Sequence, residues 1–497
     1  MTPRERPHTN GAGPPPAFER RTGWRSILLL LTVAGTSFAL MQTLVVPALP
    51  FFQREFGTTA NGAAWLATGF LLSSSVLTPV IGKLGDTYGK KRLLVISLVI
   101  FGVGALGAAL AWSLESLIAC RILQGAGAAV FPLSFGIIRD EFPPEKVGVG
   151  IGIVSSVFGA GGGVGLVTSG IILEYLDWHW LFLIGGIPVL LAAAVIARHV
   201  PESRTKTPTK PDYAGAAALS LALATLLLGI SQGNVWGWSS VGVIGLLVAS
   251  ALLFGVWIVI ERRVREPMVD LGMLARPKMA ATNTITFLVG FAMFSTFISL
   301  PNFVQMPAGL SAGLAERAGY GFGASPIESG LFFLPSSVAM LFAGPIAGSL
   351  GSRFGAALPL RVGLIASGSG LGLFVLAHDQ PWHIYLSMAL LGVGIGFSLA
   401  AVGKLAVDNA RSRETGVASA INTIMRTVGA ALGAQVAATI ISANVIPGTR
   451  LPAETGFTVA FTIGTIAVLV ALVPTLLLTR EGRPGRTVGD AELEAAA

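Results

Sequence analysis

Residues Gly82–Arg92, GKLGDTYGKKR, form a short charged segment between two long apolar stretches. The segment holds three glycines, one acidic residue (Asp86) and, at its end, the consecutive cations Lys90, Lys91 and Arg92. Charged side chains are costly inside hydrocarbon, whereas glycines permit a tight turn. The segment is therefore expected to lie at a membrane face, with the flanking stretches crossing the bilayer.

The rest of the chain repeats this alternation of apolar stretches and charged segments. Hydrophobic residues make up 53% of the chain and charged residues 12%, well below the roughly 25% charged that is usual in soluble domains. Fourteen stretches reach the length of about 20 residues that a membrane-spanning helix needs. The predicted spans are 26–49, 61–81, 93–111, 117–138, 147–173, 181–198, 214–231, 241–260, 281–306, 327–349, 358–376, 384–403, 416–442 and 457–478. The sequence thus predicts an all-α polytopic membrane protein.

The distribution of cations predicts the orientation of these spans. An even number of spans puts both termini on one side, and the tails and loops of that side hold 28 of the 33 Lys and Arg residues. The positive-inside rule therefore predicts cytoplasmic termini. Residues 1–25, rich in Pro and Arg, are expected to form a disordered cytoplasmic tail. The first stretch is expected to be a span and not a cleavable signal peptide, because it is too long and Pro47–Phe52 offers no small-residue cleavage site.

Several other classes of function are disfavoured. The net charge of +8 follows from membrane topology, and no basic-aromatic module for nucleic acid is present. Cys120 is the only cysteine, so neither a disulfide framework nor a metal cluster is expected. The five His are scattered and no metal-spaced cluster of His, Cys and acids occurs, which argues against an enzyme. No cofactor is expected.

Local patterns recur at an offset of 266 to 268 residues. Gly85–Gly89 (GDTYG) matches Gly351–Gly355 (GSRFG), and Gly148 matches Gly416. The repeat relates spans 1–6 to spans 9–14 and leaves spans 7 and 8 as an inserted hairpin. The predicted parts are the tail 1–25, a six-helix bundle 26–198, a central part 199–280 with the inserted spans, a second six-helix bundle 281–478, and a cytoplasmic tail 479–497.

Three segments of the sequence resemble signatures of the major facilitator superfamily. Gly82–Arg92 resembles its G-x-L-x-D-x-x-G-[RK]-[RK] signature between the second and third spans. Arg121–Ala129 resembles the R-x-x-Q-G-x-G-A signature of proton-driven exporters, and Gly159–Gly170 resembles the antiporter signature G-x-x-x-G-P-x-x-G-G with Leu166 in place of proline. Over about residues 25–480 the chain is similar to fourteen-span drug:proton antiporters. The resemblance implies two six-helix bundles plus two inserted helices around a midplane cavity, with transport by alternating access.

The resemblance also implies a gate at the charged segment. Asp86 would cap the first turn of span 13 near Thr415 and Gly416, where free amides and the helix dipole favour a carboxylate. The cations after Gly89 can reach the acids that end span 4. The predicted gating residues are Gly82, Gly85, Asp86, Gly89, Lys90, Lys91, Arg92, Asp140 and Glu141.

The energy source is less clearly indicated. The intramembrane Asp that drug:proton antiporters carry in span 1 is replaced by Met41. Arg121 and Arg426, which fall inside predicted spans, are the coupling candidates together with Glu328 at the rim of span 10; either Arg could instead have a structural role, by snorkelling or by binding carbonyls. Three readings stay open: a proton carried by a rim carboxylate (Glu328, Asp140 or Glu141), a different coupling mode, or uncoupled transport driven by membrane potential. Two interior cations without an interior acid favour anionic or zwitterionic substrates.

Polar, aromatic and glycine residues complete the candidate site. The predicted substrate-cavity residues are Gln42, Thr43, Gln124, Phe38, Phe70, Asn283, Phe287, Phe291 and Asn422. The predicted helix-packing residues are Gly161, Gly165, Gly170, Gly429 and Gly433, because glycines let membrane helices approach closely.

The sequence thus predicts a monomeric secondary active transporter that exports small amphiphilic compounds by proton antiport across a bacterial cytoplasmic membrane. Its expected partners are the substrate, protons and the lipid bilayer. An importer or facilitator of a specific metabolite and a non-transporting sensor or scaffold remain alternatives.

Overall fold

The computed structural model describes residues 23–478 apart from 59, 203–211, 266, 268, 307–318, 412, 413, 448 and 450. Over these residues the chain is helical, and its one β-bridge joins Val445 and Pro452. Thirteen of the described helices are long and apolar enough to cross a membrane, and a bent pair raises the number to fourteen. Nearly all residues of the two predicted tails lie outside the described part, although Trp24 and Arg25, assigned to the first tail, are already helical.

Each predicted span overlaps one of these membrane helices. In chain order, spans 1 to 14 are Trp24–Thr43, Trp65–Tyr88, Lys90–Ala109, Leu114–Glu141, Pro144–Gly162 with Val167–Tyr175, Trp180–His199, Tyr213–Trp236, Val241–Arg263, Pro277–Gln305, Ile327–Phe354, Ala357–Leu376, Pro381–Asp408, Thr415–Ala443 and Glu454–Leu478. Two shorter helices are Val45–Glu55 and Leu271–Ala275, and span 10 begins with the short helix Pro326–Leu331.

Some spans are less regular than predicted. A second helix, Val45–Glu55, continues span 1 beyond its predicted end at 49. Span 4 changes to a 3-10 helix over Gly125–Ala129. This segment consists of glycine and alanine, which have no large side chains to pack along a regular helix. Span 5 bends by 47° between Gly162 and Val167, because its glycine run weakens the helix. Span 9 begins at Pro277, which suits the first turn of a helix.

The packing of the spans follows the sequence repeat. Span 1 packs against span 5, span 2 against span 4 and span 3 against span 6, and the same pairs recur as 9 with 13, 10 with 12 and 11 with 14. The two sets meet chiefly where span 2 crosses span 13 and span 5 crosses span 10, with further contacts of span 12 with span 5 and of span 13 with the end of span 4. We call the end of the bundle where Asp86 lies the Asp86 end, and the other the opposite end.

Spans 7 and 8 cover the crossing of spans 2 and 13. Leu223 and Leu227 of span 7 and Trp257 of span 8 belong to one apolar cluster with Ile421 and Val428 of span 13. Span 2 adds partly buried side chains to the same cluster. The inserted hairpin therefore rests on both repeats at once.

The opposite end of span 7 is joined to span 13 by polar contacts. Asn234 Nδ2 donates to Gln435 Oε1 at 2.8 Å, and Thr439 Oγ1 donates to Asn234 Oδ1 at 2.5 Å. Toward span 2, the Ser231 hydroxyl lies 3.2 Å from that of Thr68. At this end span 7 thus makes more hydrogen bonds to the second repeat than to the first.

Candidate functional site

Asp86 of span 2 caps the first turn of span 13. The amide of Gly416 donates to Asp86 Oδ1 at 3.1 Å, and the amide of Val417 donates to Oδ2 at 3.1 Å. Glu414, at the N-cap position, makes no side-chain cap, so Asp86 supplies acceptors for amides that a helix start leaves free. The predicted contact between the halves is present.

Glycine on both helices lets the cap form. A Cβ on Gly82 would lie 3.0 Å from the carbonyl oxygen of Gly416, and a Cβ on Gly416 would lie 2.7 Å from that of Gly82. The same Gly416 Cβ would lie 2.9 Å from both Asp86 carboxylate oxygens. Any larger residue at either position would push span 2 away from span 13.

Glu202, which was not among the predicted site residues, holds the turn after Asp86. Its carboxylate accepts from the amides of Lys91 at 3.1 Å and Arg92 at 3.2 Å, and so caps span 3. Gly89 has φ +117°, and a Cβ there would lie 2.5 Å from Glu202 Oε1. Both the backbone conformation and the nearby carboxylate therefore require glycine. Nothing in the local sequence around Glu202 marks this role.

Two cations connect the end of span 4 to its surroundings. Lys90, fully buried, forms an ion pair of 2.7 Å with Asp140, one of the two predicted acids. Arg139 Nη1 donates to the carbonyl oxygens of Val407 and Ala410 at 2.8 and 3.1 Å and to Thr415 Oγ1 at 2.9 Å. Arg139, also missed from the sequence, thus binds the connection between spans 12 and 13. Glu141 lies half-buried at the end of span 4.

The repeat-related crossing of spans 5 and 10 has a serine where the first crossing has its carboxylate. A Cβ on Gly148 would lie 2.5 Å from the Gly348 carbonyl oxygen, so these helices also meet glycine to glycine. Ser352, which stands where the first repeat has Asp86, donates its hydroxyl to Gly348 O of its own helix at 3.1 Å. The capped contact is therefore confined to one of the two crossings in the described part.

Arg121 is buried between spans 1, 2 and 4. Its Nε donates to Leu66 O at 3.1 Å, and its Nη1 donates to Met41 O at 3.2 Å and to Gln124 Oε1 at 2.6 Å. The guanidinium carbon lies 4.2 Å from the centroid of the Phe70 ring. Among the described residues, Nη2 finds no hydrogen-bond partner. The guanidinium is thus held by dipoles and an aromatic face, with one nitrogen left over.

The surroundings of Arg121 differ from the predicted cavity wall. Gln124 is fully buried, and its Nε2 donates to Gly104 O at 3.1 Å, so both ends of its amide are occupied within the protein. Phe38 and Phe70 are also buried, with ring centroids 5.7 Å apart. In this conformation these three predicted cavity residues make helix contacts. Their role in a cavity stays a prediction, because the sequence pattern does not tell which face of a span is enclosed in a given conformation.

Met41 stands at the position of the span 1 Asp of drug:proton antiporters, but its side chain is not directed at Arg121. The Met41 side chain is buried against Gly185 of span 6, where an added Cβ would overlap Met41 Cγ. Only the backbone carbonyl of Met41 meets the guanidinium. Gln42, the next residue, is half-buried.

Span 13 presents its predicted residues to span 9. Asn422 Nδ2 donates to Thr286 Oγ1 at 2.7 Å and to Asn283 Oδ1 at 3.3 Å, so the two predicted asparagines bind each other. A Cβ on Gly429 or Gly433 would overlap a span 9 carbonyl oxygen, that of Phe287 or Phe291. The predicted helix-packing role of these two glycines thus fits their contacts.

Arg426 lies near the middle of span 13 on the same helical face. Its carbonyl oxygen occupies the space that a Cβ on Gly290 would take, so the backbones of spans 9 and 13 meet there. The Arg426 residue is partly exposed, as are Phe287 and Phe291. These three residues are therefore more accessible than those around Arg121.

Spans 1 and 5 meet at the predicted glycines. Thr43 Oγ1 donates to Gly161 O at 3.4 Å, and a Cβ on Gly165 would overlap that hydroxyl. Thr43 is buried, so this predicted cavity residue also makes a helix contact. Gly170 faces span 10, where Ile327 Cγ1 would lie 3.0 Å from an added Cβ.

Glu328 is exposed at the opposite end, where it closes a helix cap. Its Oε2 accepts from the Ser325 amide at 2.7 Å, while its own amide donates to Ser325 Oγ at 3.2 Å. This reciprocal arrangement is a capping box. The structure does not bring Glu328 to Arg121.

Known proteins are similar to this chain in sequence and fold. The family model described as "Major Facilitator Superfamily" matches residues 31–434 and 284–496. The tetracenomycin C resistance and export protein of Streptomyces glaucescens is 29% identical over 424 residues, covering 84% of this chain and 76% of that protein. Multidrug resistance protein 3 of Bacillus subtilis is 26% identical, covering 85% and 80% of the two chains.

Two further similarities agree with these. The probable actinorhodin transporter of Streptomyces coelicolor is 28% identical over 460 residues, covering 88% of this chain and 76% of that protein. Among solved structures, the human organic anion transporter MFSD10 (TETRAN) superposes with a TM-score of 0.63 at 14% identity, covering 91% of this chain and 99% of that one. The structural similarity concerns the fold.

Proposed function

Since the chain belongs to the major facilitator superfamily, we propose that it is a secondary active exporter that moves small amphiphilic compounds by alternating access in exchange for protons. Relatives in bacteria are named for tetracenomycin C resistance and export, for multidrug resistance and as a probable actinorhodin transporter, which supports the direction and the class of compound. Drugs, antibiotics and secondary metabolites are the compounds to test.

The observation that carries the proposal is the cap that Asp86 places on span 13. It joins the two repeats through one carboxylate and two backbone amides at one end of the bundle. Such a contact contributes about 0.3–2 kcal/mol, which biases an equilibrium between two arrangements without fixing one. A gate between halves that rock against each other needs a contact of this strength.

The location is a bacterial cytoplasmic membrane, with the Asp86 end and both termini in the cytoplasm. The excess of Lys and Arg in the tails and loops of one side supports this orientation. The conformation is then closed toward the cytoplasm, because Asp86 and Arg139 both hold the start of span 13.

Proton coupling is assigned to Arg121 and not to Glu328. The Glu328 carboxylate already accepts a hydrogen bond in an exposed helix cap, and the Asp140 carboxylate is paired with Lys90. Arg121 lies within the bundle with a nitrogen that lacks a partner among the described residues, so this permanently charged group can change its partners when a proton or a substrate enters.

Transport by the purified protein in liposomes tests this function. We expect an inward proton gradient to stimulate movement of dyes or antibiotics, with Glu328→Gln active, Arg121→Ala inactive and Arg121→Lys intermediate. A transport rate that is the same with and without the gradient would contradict proton coupling and leave membrane potential as the driving force.

Direction and transport itself are tested with the same preparation. Net movement toward the cytoplasmic side in oriented vesicles would favour an importer or facilitator of a metabolite. Compounds that bind but are not transported would favour a sensor or scaffold, provided that a normal thermal unfolding transition shows the protein to be folded.

A further inference from the structure

The described membrane interior carries cations without acids. Arg121 and Arg426 are the charged residues that lie more than five residues from either end of a described span. Every described acid lies within three residues of a helix end or between helices. Both guanidinium groups remain charged at physiological pH. Among the described residues, the charge of the membrane interior is therefore positive.

The contacts of Arg121 show what is missing. Carbonyl oxygens of Leu66 and Met41, the amide oxygen of Gln124 and the Phe70 ring supply partial negative charge. None of these groups carries a full charge, and Nη2 has no acceptor in the described structure. A buried cation without a counter-charge is unfavourable, and a bidentate oxyanion is its best partner.

Phe70 and Phe38 add an apolar surface to this cation. The Phe38 ring also contacts Phe101 and Phe131, with centroids 5.8 Å apart in each case. A flat apolar body beside a guanidinium suits a compound that has both an aromatic part and an acidic group. Lipophilic cations would instead meet charge repulsion at this place.

Span 4 has a joint next to Arg121 that can provide access. The regular helix Leu114–Gln124 ends three residues after Arg121, and the 3-10 helix Gly125–Ala129 follows. A 3-10 segment inside a membrane helix is a frequent site of bending. Tilting of the Leu114–Gln124 segment about this joint would open the enclosure around Nη2.

We propose that the exported compounds carry an anionic group, such as a carboxylate or phenolate, and that the uncompensated guanidinium charge of Arg121 binds it, with Arg426 contributing a second attractive charge. The proposal rests on the exporter function but not on proton coupling. Outward movement of an anion is favoured by a membrane potential that is negative inside.

Gln124 allows the charge at Arg121 to be cancelled with little change of shape. Gln124→Glu places a carboxylate oxygen where Oε1 now lies, 2.6 Å from Arg121 Nη1. Gln124→Met is the matched control, because it has a similar volume and adds no charge. Both variants lose the hydrogen bond to Gly104 O, so the difference between them reports the carboxylate placed against Arg121.

The probes are fluorescein, an anion, and rhodamine 123, a cation built on the same ring system. Binding to full-length protein in nanodiscs is measured by fluorescence polarisation. We expect fluorescein to bind at least about tenfold more tightly than rhodamine 123, Gln124→Glu to abolish this preference and Gln124→Met to retain it. Tighter binding of rhodamine 123, or the same fluorescein preference in Gln124→Glu and the wild type, would overturn the proposal.

Arg426→Gln provides a second test if the Gln124 variants do not fold. It should weaken fluorescein binding and leave rhodamine 123 binding unchanged or stronger, whereas equal weakening of both dyes would contradict a role in charge recognition. Transport of the bound dyes in liposomes is measured separately. Selective binding of fluorescein without transport would refute the exporter function and leave the anion site standing.

Discussion

Asp86 and Gly416 lie 330 positions apart in the sequence, yet Asp86 Oδ1 accepts a hydrogen bond of 3.1 Å from the Gly416 amide. Span 2 and span 13 belong to different repeats, so the contact joins the two halves of the protein. Because one partner is a side chain and the other a helix start, the contact can be weakened on one side without removing a core residue.

Asp86→Asn should open the Asp86 end. Asparagine keeps the shape but loses the charge and one of the two acceptor oxygens. In a Cys120→Ala background, alkylation of Ser419→Cys, a buried position one turn into span 13, should accelerate by up to about 30-fold, which corresponds to about 2 kcal/mol. Glu145→Gln, at an exposed position of the same end, is the control and should leave the rate unchanged. Equal labelling rates with and without the Asp86→Asn substitution would refute the capping role.

Gly416→Ala should separate the same two helices by steric repulsion. The added Cβ would lie 2.7 Å from Gly82 O, closer than such atoms normally approach. We expect a lower thermal unfolding temperature and faster labelling of Ser419→Cys. Gly255→Ala is the control, since nothing lies within 4 Å of its Cβ, and it should stabilise span 8 by about 0.5–1 kcal/mol. If Gly416→Ala changed neither the unfolding temperature nor the labelling rate, spans 2 and 13 would not be in close contact.

Glu202→Gln should destabilise the first half without opening the gate. The carboxylate caps span 3 at the Lys91 and Arg92 amides, and loss of a cap costs about 0.5–2 kcal/mol. The unfolding temperature in detergent should fall, while labelling of Ser419→Cys stays at the wild-type rate. Glu174→Gln, exposed at the opposite end, should change neither quantity. Accelerated labelling in Glu202→Gln would link the cap to gating and contradict this separation.

The inserted hairpin should move with the second half. Span 7 binds span 13 through Asn234, and binds span 2 at the same end through the Ser231 hydroxyl. Joining Asn234→Cys to Gln435→Cys with a short bifunctional thiol reagent, in the Cys120→Ala background, should therefore preserve transport. Joining Thr68→Cys to Ser231→Cys should stop it. The reverse result would assign the hairpin to the first half.

Local patterns were sufficient for the spans, whereas the Asp86 contact was implied by the family resemblance. Spans are visible because each must be apolar over its whole length, and the partner of Asp86 was found because the repeat relates Gly148 to Gly416. Glu202 and Arg139 were missed because their partners are mainly backbone groups and because, unlike Asp86, neither lies in a motif that resembles a family signature. A backbone amide or carbonyl leaves no mark in the sequence at the residue that supplies it.

The orientation of side chains about each span was the other difficulty. Gln124 was predicted to face a cavity but is enclosed between Arg121 and Gly104. In a helix that is apolar on all sides, the hydrophobic pattern does not distinguish lipid, cavity and neighbouring helix. The 3-10 turn at Gly125–Ala129 was unpredictable for a related reason, since glycine and alanine are equally common in straight membrane helices.

The position of spans 7 and 8 restricts how a compound dissolved in the bilayer can enter. The hairpin covers the crossing of spans 2 and 13, and on the other side spans 5 and 10 meet at Gly148 and Gly348 without room for a side chain. At these two contacts the helices leave no opening toward the bilayer in this conformation. A compound that enters from the bilayer at either place would need the helices to separate first, so its uptake rate should depend on how often the Asp86 cap breaks.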